Sequence, residues 1–208
     1  MKKKRWKHRR NRVRKFGMKN RTKKFLSGCV RQIVRVARNG ETLAFSSAAI
    51  YRSEFEKVMK WIAASPDIET GGELFGFYRD NGTPVVCYAI DPGPKANHQY
   101  AFFNQDIDYL AKVGGKLTDE YGLEHIGEWH SHHRLGLAQP SGHDAATIAD
   151  GVRKRGRRRF LLCVGNIRDR KATLGGFAFT GDSGERYERV DWEVVNVKSP
   201  YREMLGDM

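Results

Sequence analysis

Four of the seven histidines in this 208-residue chain crowd between positions 130 and 143. They stand in Glu128-Trp129-His130-Ser131-His132-His133-Arg134 and in Ser141-Gly142-His143-Asp144. On a β-strand, residues i and i+2 share a face about 6.6 Å apart, so His130 and His132 can present two imidazoles to one divalent ion. A catalytic zinc centre takes a third protein ligand and keeps one position open for water. Asp144 is the candidate, because the loop after His132 leads into a helix whose first turn contains it. Two neutral imidazoles and one carboxylate leave a divalent ion net positive, able to lower the pKa of a water at the open position to about 7.

The same residues have a purely structural use. Ser141-x-x-Asp144 is a variant of the capping box, with Ser141 at the N-cap and Asp144 at N3. Coincidence with the His-x-His pair just upstream favours the ligand role, and the two roles are compatible. A Ser141 hydroxyl fixed at a helix start can also donate to a developing oxyanion. His143 neighbours Asp144, but adjacent helical positions diverge by about 100°, which points to a surface or supporting role. For the general acid/base the residue pattern leaves Glu69, Glu73 and Glu128 open; Glu128 shares the strand face of both histidines. Gly181-Asp182-Ser183-Gly184 reads as a β-turn. Neither HExxH nor the PCxxC of zinc deaminases occurs.

The elements that must position these groups follow from periodicity. Apolar residues around Val30 to Val36 and Thr42 to Phe45 suggest β segments. Tyr51 to Ala64 reads as a helix with Phe55, Val58, Met59 and Ile62 on one stripe, ended before Pro66. Leu74 to Tyr78 and Val85 to Ile90 read as strands joined at the turn signal Asn81-Gly82. Asp91-Pro92-Gly93-Pro94 breaks the second of them. A helix is expected over Asn104 to Tyr121, with Gly114-Gly115 weakening its middle. Then come a strand Glu124 to His132, a helix Ser141 to Arg155, and strands over Phe160 to Val164, Ala172 to Thr180 and Arg186 to Val195. This order predicts a three-layer α/β arrangement around a mixed sheet.

Composition bounds the function classes. Net charge is +14, yet residues 1–24 hold 14 of the 38 Lys and Arg and no acidic residue. The remaining 24 basic residues balance 24 acidic ones. We therefore expect a basic, disordered tail over residues 1–27 and one folded domain over 28–208. The tail is solvated chain, docks on an acidic protein, serves as an address, or neutralises phosphates, which makes nucleic acid a possible partner; Trp6 and Phe16 offer a little stacking surface. No apolar run approaches the roughly 20 residues of a spanning helix, so no membrane partner is expected. Cys29, Cys87 and Cys163 are sparse and unpaired in pattern, which fits a reducing compartment, expected to be the cytoplasm. Cys163, in an apolar run, reads as a buried hydrophobe.

His-x-His, a short loop and Ser-x-x-Asp together resemble the JAMM signature of MPN-type metalloproteases, the JAB domains. Their upstream glutamate, followed by Gly and an apolar-x-Gly stretch, is matched by Ile68-Glu69-Thr70-Gly71-Gly72-Glu73-Leu74-Phe75-Gly76. Asp91 to Asn97 resembles a Gly-Pro-rich segment of bacterial members. The resemblance covers about residues 45–180 and implies the JAB/MPN fold, which is cytidine-deaminase-like, with helices flanking a mixed sheet. It implies Zn²⁺ held by His130, His132 and Asp144, Glu69 as general acid/base, and Ser141 steadying the oxyanion. It implies hydrolysis after the C-terminal Gly of a ubiquitin-like modifier, in bacteria often beside E1- and E2-like enzymes in conjugation or antiphage operons. Peptidase action on a sulfur-carrier protein and a nucleic-acid-associated role are alternatives; a non-catalytic MPN scaffold fits less well, because such members usually lack this ligand set. Two departures stand out. The usual Pro after the second histidine is His133, and the loop to Ser141 holds eight residues where seven are common.

Overall fold

The computed structural model describes residues 45–100 and 103–208. The basic segment 1–27, the β segment expected at 30–36, all but the last residue of that at 42–45, and Cys29 lie outside the described residues. The first described element is β1 (Ser47–Tyr51), which runs directly into α1 (Arg52–Ala64). There follow β2 (Gly71–Tyr78), β3 (Pro84–Ala89), the short β4 (Asn97–His98) and β5 (Phe103–Asn104), and α2 (Ile107–Tyr121). After these come β6 (Glu124–Ser131), α3 (Gly142–Lys154), β7 (Arg159–Arg168), β8 (Lys171–Thr180), β9 (Glu188–Val195) and α4 (Pro200–Leu205).

The α/β class and the mixed sheet are as expected from the sequence. Strands β2, β3, β8 and β9 make antiparallel pairs, while β6 with β7 and β1 with β3 and β9 run parallel. The order β1-β3-β2-β6-β7-β8-β9 closes on itself through the β9–β1 pair, a closure that local periodicity does not reveal. Full closure leaves no edge strand in the main sheet.

Alternation along the strands divides the apolar residues into two cores. One face contributes Ile50, Leu74, Val86, Trp129, Leu161 and Cys163, and α1 lays Val58 and Ile62 into it. The opposite face of β7 and β8, with Phe160, Leu162, Val164, Phe177 and Phe179, packs under Ala145, Ile148 and Val152 of α3. α2 covers the neighbouring part of the sheet, at β2 and β6. There Gly114 meets Phe75 so closely that a Cβ would stand 2.7 Å from its Cζ; the glycine expected to weaken the helix is what lets it dock. Helices thus lie on both sides of the sheet.

Trp129 is the pin next to the histidines. It is fully buried, stacks on Trp61 at 5.5 Å between centroids, and donates its indole N–H to the Ile90 carbonyl at 3.0 Å. Burying an aromatic of this size is worth roughly 3 kcal/mol. With Trp129 turned into the α1 core, strand alternation turns His130 to the other face. Cys87 and Cys163 are free and buried, and burial pushes both thiols up, in keeping with inert packing residues. No helix among the described residues is long and apolar enough to cross a membrane.

Candidate metal centre

The metal-ligand candidates come from two elements that meet at one end of the sheet. β6 carries His130 and ends at Ser131; His132 follows, still tied to β7 by its N–H donating to the Gly165 carbonyl at 2.8 Å. α3 brings Asp144 in its first turn. The two Nε2 atoms lie 3.1 Å apart, and Asp144 Oδ2 is 3.2 Å from that of His132 and 3.6 Å from that of His130. A tetrahedral ion with bonds of about 2.0–2.1 Å spaces its ligand atoms about 3.3 Å apart, so the donor set fits one zinc-sized cation. Among the described residues this is the one group of three or more potential ligands brought together. His143 is exposed and outside it, as expected.

The surroundings prepare two of the three donors. His132 Nδ1 lies 2.9 Å from the Leu137 carbonyl; donating there fixes the tautomer that leaves Nε2 free to ligate. Asp144 closes a complete capping box: its N–H donates to Ser141 Oγ at 3.2 Å, and its Oδ2 accepts from the Ser141 N–H at 2.7 Å. Capping and convergence on the histidines therefore coexist in one side chain. Burial opposes the charged form of both partners. Even so, hydrogen bonds from His130 and His132 hold the Asp144 carboxyl well below the usual carboxylate range, and Asp144 raises the His132 imidazole.

Glu69 lies two residues before β2, not on a strand. The antiparallel register pairs Gly71 with His130, and the Ser131 N–H donates to the Thr70 carbonyl at 2.7 Å. Continuing this register sets Glu69 opposite His132, and its carboxylate is among the charges that raise that imidazole. The hairpin β4–β5 clamps its backbone: Glu69 N–H donates to the Gln99 carbonyl at 2.9 Å, and His98 Nδ1 reaches the Glu69 carbonyl at 2.9 Å. Gly71 is required here, since a Cβ would sit 2.5 Å from the Trp129 carbonyl oxygen and 2.9 Å from Phe103.

The two other glutamates weighed from the sequence stand further along the sheet. Glu73 and Glu128 are directly opposite each other on β2 and β6. The Glu73 carboxylate contacts His125 Nε2, a histidine the sequence did not single out. Burial, and then repulsion from Glu73, pushes the Glu128 carboxyl up to about 7.

His133 also has a structural task. It is buried in a left-handed conformation at φ +34, with Nε2 2.7 Å from the Tyr100 carbonyl and Tyr100 packed edge-on. A histidine directly following the His-x-His pair gave no hint of this use.

Residues 52–177, more than half of the chain, match the family described as prokaryotic homologs of the JAB domain. The chain belongs to that family. This JAB-family chain is 30% identical over 128 residues to the "Probable metalloprotease y4qB" of Sinorhizobium fredii, an alignment spanning 56% of this chain and 75% of that protein. Its fold is similar to the solution structure of protein DSY2949 from Desulfitobacterium hafniense, with a TM-score of 0.55 and 16% identity over 73% of this chain and 94% of that one. The matched segment contains Glu69, His130, His132, Ser141 and Asp144.

Proposed function

We propose that this chain is a zinc-dependent isopeptidase with the three-layer JAB/MPN fold. It cuts the bond after the C-terminal Gly of a ubiquitin-like modifier within a bacterial conjugation system of the antiphage kind, in the cytoplasm beside E1- and E2-like partners. The observation that carries the reading is the convergence of His130 Nε2, His132 Nε2 and Asp144 Oδ2, with Glu69 in register opposite His132. His130, His132 and Asp144 hold the metal. When bound, zinc supplies Lewis acidity that activates water and polarises the scissile carbonyl.

The chain's own groups do the rest. Glu69, its backbone clamped by the β4–β5 hairpin, takes the proton from the attacking water and delivers it to the leaving amine. Ser141 Oγ accepts from the Asp144 N–H, which leaves its own hydroxyl proton free to donate to the carbonyl oxygen as that oxygen gains charge. No side-chain nucleophile is used, so no covalent acyl-enzyme forms.

Glu69→Gln tests this directly in the full-length protein. It should retain stoichiometric metal while cleavage of lysine-linked modifier conjugates falls about 10²- to 10⁴-fold. Undiminished cleavage would move the base to Glu128 or Glu73. Comparing lysine-linked conjugates with linear fusions separates isopeptidase action from trimming of a sulfur-carrier-type C-terminus.

A further inference from the structure

Beside the metal centre, on the far side of the loop that supplies the Leu137 carbonyl, a cleft of about 990 Å³ opens between that loop, the end of α1 and the β7–β8 hairpin. Among the described residues its walls carry Arg134, Arg168, Arg170 and Arg189 against one acidic residue, Asp169. Arg134 is paired with Asp67 at 3.0 Å and Arg168 lies 4.0 Å from Asp169. Arg170 and Arg189 have no ion-pair partner among the described residues. This excess of positive charge is local, because the basic residues outside the segment 1–24 are balanced overall.

We propose that this cleft binds an acidic stretch of the protein substrate. Arg168, Arg170 and Arg189 engage its carboxylates. The proposal rests on the reading of the adjacent site as a peptide- or isopeptide-bond hydrolase. Guanidinium groups match carboxylates in a two-pronged geometry. Among the described residues no aromatic side chain lines the cleft, so it lacks the stacking platform that single-stranded nucleic acid uses, and a polypeptide is the better fit.

The test uses full-length, zinc-replete protein and a fluorescein-labelled decapeptide of alternating Glu and Gly. A Gln-Gly peptide serves as the neutral control, and binding is read by fluorescence anisotropy. Arg168→Glu/Arg170→Glu/Arg189→Glu should weaken binding of the acidic peptide about tenfold or more, with zinc content and the melting curve as checks of folding. Wild-type affinity in the triple variant would mean that the basic N-terminal segment captures the peptide, and would overturn the proposal. So would a loss of oligonucleotide binding in that variant with peptide binding intact. A cleft that ignores the acidic peptide in a protein that still cuts conjugates sinks this proposal alone. Charge-dependent peptide binding in a protein that cuts no conjugate sinks the hydrolase reading and leaves the cleft.

Discussion

Asp144 Oδ2 serves two partners at once, accepting from the Ser141 N–H at 2.7 Å and lying 3.2 Å from His132 Nε2. Structural capping and ligand placement are thereby one feature, and Ser141→Ala perturbs both. It should cost about 1 kcal/mol of stability through the lost N-cap, seen as a small drop in Tm. Turnover should fall about 10²- to 10³-fold if the hydroxyl also serves the carbonyl oxygen; stability loss with unchanged turnover would restrict Ser141 to capping. At this scale the convergence of His130, His132 and Asp144 was legible, because i, i+2 spacing on a strand and the first turn of a helix are local patterns. Glu69 was less so. Its place opposite His132 depends on the β2–β6 register, set by residues nearly sixty positions apart, and the residues alone left Glu73 and Glu128 open. The Glu73–His125 contact also depends on strand pairing, and no local pattern announces it.

The loop of residues 133–140 turns on His133, whose φ of +34 is open to few side chains. The proline usual at this point in JAMM signatures has φ locked near −65°, so the loop here follows a different path. His133→Pro should therefore displace the Leu137 carbonyl from His132 Nδ1 and weaken zinc binding. His133→Gly keeps the backbone accessible and loses chiefly the contact with the Tyr100 carbonyl, about 0.5–1.5 kcal/mol. Zinc titration and thermal melting of both variants check this; equal behaviour would mean the backbone conformation is unimportant. Most element boundaries were readable from apolar periodicity, α1 to within one residue. β1 was missed because Ser47-Ala48-Ala49 lacks the bulky β-formers that mark a strand. α2 begins at Ile107 instead of Asn104, since Asp106 caps it, accepting from the Tyr109 N–H at 3.1 Å, and Asn104 pairs with Asn97. β4, β5 and α4 are too short to leave a periodic trace.

A distant staple ties α1 and α4 to the end of β3. Fully buried Glu54 on α1 receives Arg202 of α4 at 2.6 Å and also accepts from the Ala89 N–H at 2.9 Å. Arg202 further donates to the Ala89 carbonyl at 2.7 Å and lies over the Tyr88 ring. Arg202→Met leaves a buried carboxylate unpaired, which costs about 3–5 kcal/mol, or roughly 10 °C in Tm. Adding Glu54→Gln should restore much of that loss, since a glutamine retains an acceptor for the Ala89 N–H. A double variant no better than Arg202→Met would show that packing of α4, and not the charge pair, does the stapling. Contacts 148 residues apart in sequence leave no local signature, so neither this pair nor the closure of the sheet was foreseen.

The account stands or falls on one cation held by His130, His132 and Asp144. Metal content of the purified full-length protein, measured by inductively coupled plasma mass spectrometry after exposure to zinc and removal of the excess, should be one zinc per chain. It should fall to less than about one tenth of that in His132→Ala and Asp144→Ala. A wild-type chain that retains no zinc, or substituted chains that retain as much as the wild type, would contradict it.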